Sequence, residues 1–331
     1  MSGTALAVFA ERFPIAGGFT ISRGSKTEAE VVTVQLSQDG KTGWGECVPY
    51  ARYGERIDQT IGAITALEME IAGGLTRLQL QSRLPPGAAR NGLDCAMWDL
   101  EAKLAGRSVA DLLGRSTPAE IVTAFTISLD TPQRMAAAAA KAEQWSLLKL
   151  KLGGEGDIER LMAVRRAVPN KRIIVDANEA WSAHNLPENL DACQRTRIEL
   201  VEQPLPADQD QILADIVSPV AICADESAHV GSGLARIEAR YQAINIKLDK
   251  TGGLTEALAL MAVARGQGMK VMLGCMVCTS LSIEPLTLLA ADADWCDLDG
   301  PFLLERDRPG GFDCVDGRLV VDSGKLWGIS S

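Results

Sequence analysis

Two kinds of hydrophobic spacing divide this chain, and the change falls near Ile121. Before it, residues 4–14, 29–38 and 42–47 alternate or run β-branched, with Asp39-Gly40 between the last two as a hairpin turn. Helical patterns follow near 58–72 and 88–105. After it, short apolar runs alternate with amphipathic helices. Strands are predicted near 121–128, 147–151, 172–176, 198–202, 220–225, 243–247, 270–274 and 295–299. The helices between them include the alanine-rich 132–145 and 254–268, the latter stopped by Gly268. Eight such strands are enough to close a barrel. The expected fold is therefore α/β, a modified TIM (β/α) barrel over 119–305 with an α+β capping domain over 1–118. The segment 306–331, with Asp316-Gly317 as a further turn, is expected to return to the cap.

Five of the predicted strands end in a charged residue at nearly constant spacing. Lys151 closes LLKLK, Asp176 closes RIIVD, Glu202 closes IELVE, Asp225 closes VAICAD and Lys247 closes AINIK, at steps of 25, 26, 23 and 22 residues. In a β/α barrel all strands end at one rim, so three carboxylates flanked by two lysines meet in a small volume. Residues two apart on a strand face the same way. Lys149 with Lys151, Asp176 with Asn178, Lys247 with Asp249, and Asp297 with Asp299 are thus expected to point together at C-terminal strand ends. A barrel interior rejects unpaired charge, and a hard divalent cation is the simplest way for three carboxylates to coexist. Such a centre, with an amine on each side, is equipped to take a proton from carbon.

Composition narrows the class. The 331 residues, 47% hydrophobic, can bury one barrel-sized core and a smaller second domain. A net charge of −10 argues against nucleic acid and anionic membrane as partners. The opening MSGTALAVFAERF lacks the basic start and longer apolar run of a signal peptide, and VMLGCMVCTSLSI stops at Glu284-Pro285, too short for a membrane span. A cytoplasmic location is expected, and the eight scattered cysteines then read as reduced, mostly buried thiols. Cys275 and Cys278 form a lone CxxC, with only His184 and His229 available to complete a zinc site, and both histidines read as structural. A homo-oligomer is compatible with the sequence, which leaves oligomeric state open.

The runs KLKLGG (149–154), VDANEAW (175–181), VEQPLP (201–206), ICADES (222–227) and NIKLDKTGG (245–253), with NGLDCAMWDLEAK at 91–103, resemble the enolase superfamily over nearly the whole chain. The branch is that of muconate-lactonising enzymes, o-succinylbenzoate synthases and dipeptide epimerases. The resemblance implies Asp176, Glu202 and Asp225 as Mg2+ ligands, Lys151 and Lys247 as acid/base groups on opposite faces of the substrate, and Lys149 and Asn178 as supporting groups. Two opposed lysines permit epimerisation through a metal-stabilised enediolate, chemistry that the resemblance to this superfamily implies.

The last strand separates the branches. Asp297-Leu298-Asp299-Gly300-Pro301 looks like the DxD feature of dipeptide epimerases, which in that family holds the substrate's α-ammonium; the plainer alternative is a pair of turn-capping aspartates. With NIKLDKTGGLTEALAL and LGCMVCTS, it is most similar to the epimerases of L-Ala-D/L-Glu dipeptides, which implies a small dipeptide substrate from murein recycling. A glutamate side chain needs a cation. The candidates are Arg23 and Lys26 in the cap loop FTISRGSK, with Tyr50, Arg52 or Tyr53 in a second lid at PYARYGE. Two other readings stand beside this one. A lyase, N-acylamino-acid racemase or cycloisomerase of the same branch would keep the metal and lysines but need no ammonium site, and a non-catalytic metal-binding barrel would need no lysines.

Overall fold

Asp39 and Gly40 both adopt positive φ (50° and 76°), the conformation that a two-residue hairpin turn requires, and they join Gly24–Gln38 to Lys41–Cys47. The computed structural model describes residues 3–229 and 233–329. Its first sheet is antiparallel, built from Ala5–Ile21 (β1), Gly24–Gln38 (β2) and Lys41–Cys47 (β3). β1 is longer than the alternating run 4–14 foretold, and β2 starts earlier than residue 29. Gly17 and Gly18, both at positive φ, absorb a register shift between Pro14 and Phe19 without ending the ladder. The segment read as a cap loop is consequently the tip of a hairpin, with Ser22 and Arg23 at its turn.

The helix Ala88–Ala105 packs between this sheet and the barrel and is buried on most of its surface. Two glycines allow the approach. A Cβ on Gly45 would stand 2.1 Å from Gly92 O, and one on Gly43 would stand 2.3 Å from Ala96 O. The pattern read as one helix over 58–72 is two, Ile57–Thr65 and Glu68–Ala72.

The expected strand 121–128 divides in two. Glu120–Val122 (β4) leaves the barrel and Ala124–Ile127 (β5) begins it. Leu147–Lys151 (β6), Arg172–Asp176 (β7), Leu200–Glu202 (β8), Ala221–Ala224 (β9), Ala243–Ile246 (β10), Lys270–Gly274 (β11) and Trp295–Asp297 (β12) follow in spatial order, each paired in parallel with the strand before it. At the seam between β12 and β5, side chains bridge the strands: Leu298 N donates to Thr123 Oγ1 (2.7 Å) and Thr126 N to Asp299 Oδ2 (2.6 Å). The tail forms Asp313–Val315 (β13) and Arg318–Val320 (β14), which pair with β4. Beyond them, Trp327 Nε1 donates to Cys95 O and Gly328 N to Asp99 Oδ1, which fastens the tail to the helix Ala88–Ala105 (2.8 Å each).

Period-two alternation explains the barrel interior. One layer takes an apolar residue from each strand: Ala124, Leu147, Ile174, Leu200, Cys223, Ala243, Met272 and Trp295. Two residues further along, the same face carries Thr126, Lys149, Asp176, Glu202, Asp225, Asn245, Gly274 and Asp297. The core thus changes from greasy to charged in one step towards the C-terminal rim. Among the described residues, no helix is long and apolar enough to cross a membrane.

Candidate active site

Lys149 and Lys151 both follow Leu147 on the inward face of β6, but they do different work. Lys149 is 1% exposed, and its Nζ lies 2.5 Å from Glu202 Oε2, 2.6 Å from Asp297 Oδ2 and 3.4 Å from Asp176 Oδ2. Burial alone would neutralise this amine; Asp297, Glu202 and Asp176 hold it charged and raise it well above the ordinary lysine range. Lys151 is nearer the mouth, donates to Asp176 Oδ2 (2.7 Å) and sits over the Phe19 ring from β1 (5.7 Å).

Across the barrel, Lys247 donates to Asp225 Oδ2 at 2.6 Å and lies 3.8 Å from Glu202 Oε1. Strand order places Lys151 on one flank, Asp176, Glu202 and Asp225 in the middle, and Lys247 on the other flank. One oxygen from each central carboxylate lies within 4.8 Å of the others, and all three residues are buried. No other group of this kind occurs among the described residues, Cys275 and Cys278 included.

Charge in this cluster is unbalanced in an instructive way. Burial works against ionisation of Asp176 and Asp225, yet Lys151 and Lys149 hold the first, and Lys247 and Lys250 the second, below the usual carboxylate range. Glu202 goes the other way: burial and the adjacent Asp176 push its carboxyl up to about 8. With four lysines around it, the cluster still favours a proton on one member, so its donor set fits a further cation. Three hard oxygens from carboxylates suit magnesium.

The supporting residues were only partly legible. Asn178 donates from its backbone N (2.8 Å) and Nδ2 (3.1 Å) to Asp176. It pays for that position with φ of 45°, and Glu179 and Gln203 also have positive φ (66° and 34°). Asn245 donates Nδ2 to Glu202 Oε1 (2.6 Å); it shares strand parity with Lys247, a signal the sequence reading overlooked. Gly274 makes room for it, since a Cβ there would stand 2.4 Å from Asn245 Oδ1. Lys250 was also missed. Its fully buried ammonium binds Asp225 Oδ1 (2.6 Å), Asp225 O (2.7 Å) and Asn245 O (2.8 Å), one helical turn after Lys247.

Asp249 corrects the parity reading. β10 ends at Ile246 and Lys247 caps the short helix Leu248–Thr251, so the strand rule no longer applies. Asp249 turns instead to the cap and accepts from Val48 N (2.9 Å) and Asn91 Nδ2 (2.8 Å).

Asp297 and Asp299 both line the cavity above the triad, which has a volume of about 450 Å³. Asp297 Oδ1 has no partner, whereas Asp299 Oδ2 is bonded by Thr126 N; burial and Asp297 push the Asp299 carboxyl up to about 7. Arg23 and Lys26 line the mouth, as do Tyr50, Arg52 and Tyr53 from the second lid. Arg23 is not free there. Its guanidinium binds Glu226 Oε1 (2.7 Å), Glu179 Oε2 (3.3 Å), Asn178 O (2.8 Å) and Tyr50 Oη (3.1 Å). His184 is exposed, and His229 stands edge-on to Tyr53 (4.7 Å).

This geometry agrees with the sequence comparisons. Residues 4–114 match the family model of the mandelate racemase / muconate lactonizing enzyme N-terminal domain, and residues 133–330 match the enolase C-terminal domain-like model. The chain belongs to the enolase superfamily. It is 46% identical to the L-Ala-D/L-Glu epimerase of Escherichia coli K12 over 94% of this chain and 98% of that one. It is 43% identical to an N-acetyl-D-glutamate racemase of a Pseudoalteromonas species, over 90% and 95%. An enolase family member from Agrobacterium tumefaciens, with homology to dipeptide epimerases and solved with sodium and L-Ala-L-Glu, superposes with TM-score 0.96 at 49% identity, covering 98% and 100%. A dipeptide epimerase from Enterococcus faecalis V583, complexed with Mg and L-Leu-L-Tyr, gives TM-score 0.90 at 28% identity with complete coverage of both chains. The relatives named as epimerases and racemase are isomerases, and the chain is an enzyme of that class.

Proposed function

We propose that the protein is a magnesium-dependent dipeptide epimerase that interconverts L-Ala-L-Glu and L-Ala-D-Glu, in the recycling of murein peptides. The observation that carries this reading is the placement of Lys151 and Lys247 on opposite flanks of the carboxylate triad, each paired to a different member of it. One amine takes the α-proton of the C-terminal residue from one face, and the other returns a proton from the opposite face. That proton is very weakly acidic, because its removal leaves a dianionic enediolate. Magnesium held by Asp176, Glu202 and Asp225 would supply positive charge at the substrate carboxylate as that charge develops. Lys149 keeps the triad and Asp297 mutually compensated, and Asn178 and Asn245 fix the orientations of Asp176 and Glu202. Asp297 and Asp299 receive the α-ammonium, for which the unpartnered Asp297 Oδ1 is the available acceptor.

The relation to an N-acetyl-D-glutamate racemase favours a second reading, in which the substrate nitrogen is acylated and the ammonium site idle. Incubation in deuterated water with magnesium separates the two. With L-Ala-L-Glu, the glutamate α-proton signal should vanish from the NMR spectrum as the L,D-epimer accumulates. Exchange of N-acetylglutamate alone would transfer the assignment to the racemase, and exchange of neither would leave a barrel without this chemistry.

A further inference from the structure

Cys275, Met276 and Val277 line the cavity on a segment that belongs to no regular element, between β11, which ends at Gly274, and the helix Ser280–Thr287. Behind this wall stands a charged cluster that the reaction does not use. Thr279, the N-cap of the helix, donates its backbone N to Glu46 Oε1 (2.9 Å) and its hydroxyl to Glu46 Oε2. Glu46 comes from β3 in the cap, and its side chain is fully buried. Its cation is Arg308 of the returning tail, whose Nε and Nη2 both reach Glu46 Oε2 (3.0 and 2.9 Å). The same guanidinium donates to Thr279 Oγ1 (2.9 Å), Glu11 Oε2 (2.6 Å) and Thr33 Oγ1 (2.8 Å). One side chain thus joins β1, β2 and β3 to the start of a barrel helix. Beside it, Asp307 accepts from Ser280 N (3.1 Å) and from Ser280 Oγ.

Burial pushes the Glu46 carboxyl up, and Arg308 and Thr279 pull against it. A pair of apolar side chains would join cap to barrel without that conflict. What apolar contact lacks is direction: the carboxylate receives an amide and a hydroxyl of one residue at set angles, and so fixes where the helix starts. Val277 is two residues from Thr279, which leaves the wall little slack. Its other side is equally close-packed. A Cβ on Gly300 would stand 2.7 Å from Met276 O and 2.9 Å from Cys278 Sγ, and Val277 packs against Ile15, Ala29 and Leu304. We infer that Glu46 and Arg308 are positioning residues, which set where the wall 275–277 stands and hence how tightly a dipeptide fits against it. The effect on substrate rests on the dipeptide-epimerase reading; the anchoring of the wall does not.

Hydrogen exchange read by mass spectrometry on the whole chain tests the wall directly. Arg308→Lys keeps the charge but cannot span Glu46, Thr279 and Glu11 at once. Glu46→Gln keeps the volume and an acceptor for Thr279 N but removes the charge. In both variants the amides of 275–282 should exchange about tenfold faster, while those of 172–178 on β7 stay as in the wild type. KM for L-Ala-L-Glu should rise about tenfold, with kcat and the magnesium Kd little changed because the lysines and the triad are untouched. A purely structural anchor would lower Tm and leave both KM and exchange at 275–282 unaltered, which would overturn the inference. Faster exchange beside an unaltered KM would overturn it too. A wild-type enzyme inactive on the dipeptide would overturn the epimerase reading instead, with exchange still deciding the anchoring.

Discussion

Lys149 Nζ donates to Asp297 Oδ2 at 2.6 Å, a buried ion pair that ties the second barrel strand to the eighth through the interior. The same ammonium touches Glu202 and Asp176, so the triad and the proposed ammonium site share one counter-ion. Neither half of the site is electrostatically independent of the other. Substrate carboxylate and substrate ammonium would therefore enter a single network in which each charge has been arranged to leave room for one more.

The triad predicts a metal-dependent enzyme whose stability also depends on metal. Asp225→Asn should cut turnover on the order of a thousandfold, as expected when transition-state charge loses its main support. Lys247 and Lys250 both bind Asp225, so this variant should also lose a few kcal/mol of stability by leaving buried ammoniums undercompensated. Magnesium should raise the Tm of the wild type and leave that of the variant unmoved. Normal turnover by the variant in EDTA would refute the assignment.

The lysines should separate by stereochemistry. Lys151→Ala should abolish solvent-deuterium exchange from one epimer and Lys247→Ala from the other, with net epimerisation reduced about 10²–10⁴-fold in both. Each variant should still exchange its remaining epimer. NMR of the α-proton starting from each pure isomer reads this directly, and equal loss from both isomers in both variants would point to a one-base lyase.

Period and parity made the barrel interior legible before any coordinates. Lys149, Lys151, Asp176, Glu202, Asp225 and Asp297 lie together because alternate residues of parallel strands share a face and the strands end together. The rule failed where the strand itself stopped. Lys247 caps a helix, so Asp249 leaves the mouth for the cap and Lys250 enters beneath Asp225. The cap loop FTISRGSK proves to be the tip of a long hairpin, which continues past Pro14 because Gly17 and Gly18 form a bulge within β1. Partners such as Glu226 for Arg23, 203 residues apart, follow no local period at all.

Asp249 gives stability a pH dependence at the cap–barrel seam. Burial first, then Glu55 and Glu46, push its carboxyl up to about 7, against the pull of its bonds from Val48 and Asn91. An unfolded aspartate titrates near ~3.9. The folded chain therefore keeps a proton that the unfolded chain has released, and the stability from this group is fully present below ~3.9 and lost as pH rises to about 7. Asp249→Asn mimics the protonated form. At about 1.4 kcal/mol per unit of raised pKa, it should stabilise by about 1–3 kcal/mol at pH 8 and by little at pH 4.5 in denaturant titrations. An equal effect at both pH values would show that Asp249 is ionised in the folded state.

The aspartate pair tests which substrate the eighth strand was built for. Asp297→Asn keeps an acceptor for Lys149, which also retains Glu202 and Asp176, so the fold should survive while the negative charge facing the cavity falls. Combined with Asp299→Asn, it should lower kcat/KM for L-Ala-L-Glu by roughly 2–5 kcal/mol of lost charge pairing. N-acetylation of the dipeptide should harm the wild type to a similar degree, since it deletes the ammonium while the triad and lysines are untouched. The two losses should not add: the double variant should treat free and acetylated dipeptide alike, because each change removes one side of the same interaction. Full turnover of the acetylated dipeptide by the wild type would break this cycle and leave the pair with their internal partners alone, Asp297 with Lys149 and Asp299 with Thr126 N, with N-acylamino-acid racemisation ahead of dipeptide epimerisation.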